Sequence, residues 1–114
     1  MRLAVSNIAW APDDRDAAYA LLQAKGVHGL EIAPGLFLNG AEDVFDPSAQ
    51  DLRAAMGAAE AAGLELVSMQ SLLFGVTGAE LFGPPQARAR FAAGMERAIR
   101  LAGRLGVPNL VFGS

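Results

Sequence analysis

The chain has 114 residues, no cysteine, a formal net charge of −3 and a pI near 5.0. That length fits one domain spanning 1–114 and is enough to bury a core. The mild acidity argues against nucleic acid or an anionic membrane as the main partner, and the lack of cysteine removes disulfide and thiol chemistry.

Hydrophobic residues reach 53%, which raises the question of a membrane span. The longest uncharged run, between Glu65 and Glu80, contains Ser68, Gln70 and Ser71, and it falls well short of the ~20 apolar residues a membrane helix needs. The opening "MRLAVSNIAW" carries one charge and a short apolar stretch with Ser6 and Asn7 in it. It reads as a first strand, not as a signal peptide. A soluble cytoplasmic protein is expected.

In chain order, the pattern predicts a strand over 2–8 and a helix over 13–25. Ala18, Leu21 and Leu22 mark the inner face of that helix, and Gly26 ends it. A strand follows over 28–33. Asp46 and Pro47 then read as an N-cap and first helical residue of a helix over 47–62. Its face is Leu52, Ala55, Met56 and Ala59, at i, i+3, i+4 and i+7. After Gly63 comes a strand over 64–70, then a loop over 71–83. Gly83-Pro84-Pro85 opens a third helix over 85–105, with Phe91, Met95, Ala98, Ala102 and Leu105 along one side. Gly106 closes it, and a fourth strand is expected over 108–113.

Three segments echo one another: "KGVHGLEIAP", "AAGLELVSMQ" and "RLGVPNLVFGS". In each, a glycine (Gly26, Gly63, Gly106) follows a helical pattern and precedes a strand-like run. Glycine suits a helix C-terminus because it takes the left-handed conformation without a Cβ penalty. Strand and helix alternate strictly, which implies a parallel sheet with right-handed crossovers. In sequential strand order, all three helices lie on one face and leave the other open. Two arrangements would cover it: a doubly wound sandwich with reversed strand order, or a sheet that curls and is completed by further strands into an eight-stranded barrel.

Polar residues stand at the C-terminal end of each expected strand: Ser6 and Asn7, Glu31, then Ser68, Gln70 and Ser71, and finally Ser114. In a (β/α) barrel these ends form the mouth that holds substrate, and such a rim suits a polyhydroxylated small molecule. Strand ends are also near solvent and often polar for that reason alone. Glu31, between Leu30 and Ile32, points away from the helix-facing side, where a carboxylate could bind a sugar hydroxyl or move a proton; on an open sheet it would be a solvated glutamate.

His28, the single histidine, falls at the opposite end and reads as structural. Arg90, Arg97, Arg100 and Arg104 form the solvated outer side of the third helix. The loop "SLLFGVTGAELFG" repeats Leu-Phe-Gly, as a lid or, the favoured reading, as two apolar plugs. No phosphate-binding glycine loop of the P-loop or dinucleotide kind occurs, and one histidine without cysteine supplies no multi-ligand metal site.

"SNIAW" (6–10), "GLEIAP" (29–34), "MQSLLFG" (69–75) and "LVFGS" (110–114) resemble the N-terminal part of the sugar phosphate isomerase/epimerase family, within the xylose isomerase-like TIM barrels. The resemblance runs in order along the whole chain. It implies a parallel (β/α) half-barrel of four strands and three helices, the first half of a TIM barrel.

By resemblance, Asn7, Trp10, Glu31, Gln70, Ser71 and Ser114 line the substrate side of the mouth, and Glu31 is the catalytic candidate. The substrate would be a sugar or sugar phosphate. Family members interconvert sugars by proton or hydride transfer, many with a divalent metal held by carboxylates and histidines of later strands. Those ligands have no counterpart in this chain, so no cofactor is expected on it and it is expected to be an inactive N-terminal fragment. The alternative is a non-catalytic half-barrel module that self-associates into a barrel-like dimer. A complete small flavodoxin-like sandwich, which requires helices on both faces, is the third expectation.

Overall fold

A computed structural model describes residues 2–112 and shows strand and helix alternating along them. Strand β1 (Ala4–Ser6) leads through two short 3-10 turns (Asn7–Ala9 and Pro12–Asp14) into helix α1 (Arg15–Ala24). Strand β2 (Gly29–Ile32) is followed by the single turn α2 (Pro34–Phe37) and by helix α3 (Ala49–Ala61). Strand β3 (Glu65–Met69) and the long helix α4 (Pro85–Leu105) complete the regular elements among the described residues.

The glycines behave as their spacing predicts. Gly26, Gly63 and Gly106 have φ of 71, 74 and 69°, so each turns the chain out of a helix in the conformation a Cβ disfavours. The start of α3 differs from expectation. Its N-cap is Ser48, whose hydroxyl accepts from the Asp51 N–H at 3.0 Å, while Asp46 and Pro47 lie before the helix. A cap is defined by a side chain reaching the N–H three residues on, and Ser48 makes that bond. At α1 the buried positions are Tyr19 and Leu22, one turn apart; Leu21, expected inside, is 58% exposed. Leu21 falls on the outer side of this ten-residue helix.

β1, β2 and β3 form a parallel sheet in that order. The fourth strand expected over 108–113 does not form among the described residues, so the sheet has three strands; one isolated parallel bridge, Met69 to Leu110, stands in its place. The Met69 N–H donates to the Asn109 carbonyl at 2.9 Å, and the Val111 N–H donates to the Met69 carbonyl at 2.8 Å.

One core unites the helices with one face of the sheet. Leu30, Ile32, Met69 and Leu101 are fully buried, and they cluster with Tyr19 and Leu22 of α1, Ala55 and Ala59 of α3, and Ala98, Ala102 and Leu105 of α4. Removing such aliphatic side chains from water contributes roughly 1.5–3 kcal/mol each. Sequential parallel order with right-handed crossovers sends every helix to the same side, and the single core agrees. The two-faced sandwich expected as the third arrangement is therefore not what forms.

The 71–83 loop is fastened by the first of its two Leu-Phe-Gly segments. A Cβ added to Gly35 would sit 2.7 Å from the Phe74 ring, and one added to Gly94 would sit 2.6 Å from Leu73. These glycines leave room for Leu73 and for the edge of the Phe74 ring, which stays half exposed, while Leu72, just before the segment, is buried. The second segment does not plug: Phe82 is 95% exposed. Among the described residues no helix is long and apolar enough to cross a membrane.

Candidate functional site

The uncovered face of the sheet owes its polar row to an irregularity in β3. Leu30 pairs with Leu66, but the next residue, Glu31, pairs with Ser68 and Ile32 with Met69, so β3 carries one extra residue at this point. Side chains alternate between faces along a strand, and residues three apart should therefore face opposite ways. Leu66 and Met69 nonetheless both pack on the helix-covered core. The bulge absorbs the odd residue and moves Ser68 into the row of Glu31, a re-aiming that bulges commonly perform.

Ser6 of β1 is also in register with Glu31. The result is a hydrogen-bonded row across three strands. The Ser68 hydroxyl donates to one Glu31 carboxylate oxygen at 2.6 Å, and the Gln70 side-chain Nε2 donates to the other at 2.8 Å. The same Nε2 donates to the Ser6 hydroxyl oxygen at 2.6 Å, which also accepts from the Ile8 N–H at 3.4 Å. A carboxylate only accepts, so its presence fixes both Ser68 and the Gln70 nitrogen as donors.

Among the described residues Glu31 has no ion-pair partner. The pairs that form lie elsewhere: Arg15 with Asp16, Arg97 with Asp43 and Arg104 with Asp46. Neutral donors alone therefore hold the carboxylate.

The other expected site residues are placed differently. Asn7 is buried and its amide is spent on backbone: the Ala33 N–H donates to Oδ1 at 2.7 Å, and Nδ2 donates to the Ala33 carbonyl at 3.3 Å. It thus extends the β1–β2 pairing by one side chain. Trp10 packs edge-on against Tyr19, ring centroids 6.1 Å apart. Together with Asn7, Arg15, Phe37 and Asn39 they line a cleft of about 10 Å³, room for one water. Burial pushes the Tyr19 hydroxyl above its ordinary range; Arg15 opposes the rise and Asp16 adds to it.

Ser71 is exposed, with φ of 57°, and its carbonyl accepts from the Phe74 N–H at 3.1 Å where the loop begins. Ser114 lies outside the described residues. His28 is exposed just before β2, at the end of the strand away from Glu31, its Nδ1 3.4 Å from the Gly63 carbonyl. Of the arginines on α4, Arg97 is more than a solvated side chain. It grips both oxygens of Asp43 at 2.6 and 2.7 Å and lies 5.4 Å from the Phe45 ring centre, tying the β2–α3 connection to α4.

Glu31 and Gln70 are thus brought together, with Ser6 and Ser68 as partners that the resemblance left out. The i, i+2 spacing of Ser68 and Gln70 is the sequence signal that unites them on one face. A cleft of about 690 Å³ lies elsewhere, beside Asp43, Phe45, Phe74 and Arg97.

Among the described residues no group of three or more histidine, aspartate or glutamate side chains is gathered for a metal ion. Glu31 is the single acid in the row, and each of its oxygens accepts from one neutral donor. One acidic side chain is too few for a multi-ligand site, so the described residues of the row do not by themselves hold a metal ion. No protein-family model matches the chain, and no curated protein matches it.

Proposed function

We propose that these residues are the substrate-side half of a (β/α) barrel of the sugar isomerase/epimerase kind, and that the Glu31 row holds the hydroxyl groups of a sugar or sugar phosphate. The observation that carries this reading is the row itself: a carboxylate held at both oxygens by Ser68 and Gln70, at the C-terminal ends of three parallel strands. That end of such a sheet is where barrel enzymes bind substrate.

In this reading Glu31 accepts a hydroxyl or takes a proton, and Gln70 fixes its rotamer from β3 while Ser6 anchors Gln70 from β1. Ser71 extends the rim, and Asn7 positions the β1 end through Ala33; roles for Trp10 and Ser114 in sugar binding come from the resemblance alone. Divalent metal belongs to the proposal only through ligands from strands other than these, so the 114 residues alone bind sugar without turning it over.

A panel of neutral sugars and sugar phosphates, titrated into the chain with and without Mg²⁺ or Mn²⁺, tests both parts. Binding without turnover is expected. Absence of binding to every sugar defeats the reading, and brisk turnover defeats the claim of inactivity.

A second reading is favoured by the sheet edges. β1 offers an unpaired edge of three residues beside an exposed Leu3, and Val111 and Phe112 are exposed near the other edge. Unpaired edges invite pairing with another chain, and two copies would bring the strands together as a barrel-like dimer. Sedimentation at micromolar concentration decides; a stable monomer there counts against it.

A further inference from the structure

We infer that the Glu31 row receives uncharged hydroxyl groups, two adjacent ones of a polyol, and that a phosphate group does not occupy it. The inference rests on the sugar-binding reading above and narrows it to the part of the ligand that this row contacts.

The valences of the row lead to it. A carboxylate offers about four acceptor positions, and Ser68 and Gln70 fill one on each oxygen. Each Glu31 oxygen keeps an open acceptor site. The two N–H bonds of Gln70 are committed to Glu31 and Ser6, which leaves its carbonyl oxygen as another acceptor. Ser68 gives its proton to Glu31 and can still accept. Ser6 accepts from Gln70 and Ile8, so its own hydroxyl proton has no acceptor among the described residues and is the row's one spare donor.

The open positions are therefore mostly acceptors, with one donor at the β1 end. A hydroxyl both donates and accepts, so two adjacent hydroxyls can donate to Glu31 and Gln70 while one accepts from Ser6. A phosphate group is acceptor-only and carries about −1.5 to −2 charge at neutral pH. It would find one donor here and a like charge.

Among the described residues no lysine or arginine pairs with Glu31 to offset that charge. Phosphate sites are built from arginine forks, lysines or the backbone N–H groups of longer helices. Arg15, Arg97 and Arg104 are engaged by Asp16, Asp43 and Asp46, and Glu31 has no ion pair among the described residues. The turn after β1 is three residues long, and its cap position is taken by Ser6 itself.

The side-chain amide of Gln70 reports directly on the row, and ¹⁵N-labelled full chain titrated with xylitol or with inorganic phosphate at matched ionic strength reads it by NMR. Xylitol should shift the Gln70 amide in a saturable way. Phosphate should leave it in place and should not displace xylitol; any affinity it shows at this amide should be at least about tenfold weaker, the consequence of bringing like charges together. In a folded Glu31→Gln variant, checked by its amide dispersion, the xylitol response should weaken at least about tenfold, since two charge-assisted acceptor sites are lost.

Phosphate that shifts the Gln70 amide, or competes with xylitol for it, overturns this inference and leaves the sugar-binding proposal standing. If neither xylitol nor any other sugar moves the amide, the broader proposal fails with it.

Discussion

On β2, Leu30 and Ile32 are wholly buried beneath the helices, whereas Glu31 between them is half-buried and bonded to Ser68 and Gln70. The two faces of one short sheet thus do different work. The covered face excludes water with aliphatic side chains from every long helix, and it supplies the stability. The uncovered face contributes little burial and spends its side chains on a polar row. A sheet with helices on one side can separate these tasks residue by residue, because alternate positions answer to different constraints.

If the separation holds, the largest stability losses come from the covered face. Leu101→Ala, at a fully buried position of α4, should cost about 2–5 kcal/mol in urea unfolding, through lost transfer energy and the cavity left behind. A loss below ~1 kcal/mol would mean that this core is looser than its burial indicates.

Next in size is Asn7→Ala, expected to cost about 1–3 kcal/mol because the buried Ala33 N–H loses its acceptor, while the Ala33 carbonyl keeps the Leu36 and Phe37 N–H groups. Asn7 lies at the junction of the two faces. The same variant should weaken sugar binding less than it weakens the fold, and the reverse ranking would make its amide part of the sugar site.

Arg97→Ala is smaller. The pair with Asp43 is partly exposed, with 39% of the Arg97 side chain accessible, so about 1 kcal/mol or less is expected, and less again in high salt. An effect that salt leaves unchanged would point instead to the contact with Phe45.

The sequence carried the covered face well. Glycines after each long helix marked where the chain leaves it, and Ala55, Ala59, Ala98, Ala102 and Leu105 fell on the buried side as their spacing required. Leu21 misled because hydrophobicity alone does not fix the rotation of a short helix; Tyr19, amphipathic and less conspicuous, is the residue that turns inward.

The uncovered face was less legible. Its two outer members, Ser6 and Gln70, are 64 residues apart in sequence. Ser68 joins them through a bulge that breaks the very alternation by which strands are read. Asn7 was recognisable as a polar strand-end residue, yet whether such an amide meets a ligand or the backbone of Ala33 depends on the path of the next segment. The loop repeat looked symmetrical, but only its first Leu-Phe-Gly meets glycines that leave room for it.

The most direct test of the division between the faces is one variant measured twice. Glu31→Gln keeps the shape of the side chain and removes the charged acceptor of Ser68 and Gln70, so urea unfolding should shift by about 3 kcal/mol or less. In the same preparation, xylitol affinity should fall at least about tenfold. A variant that loses several kcal/mol of stability while binding xylitol as tightly as the parent chain would contradict the account, and would make Glu31 part of what holds the fold together.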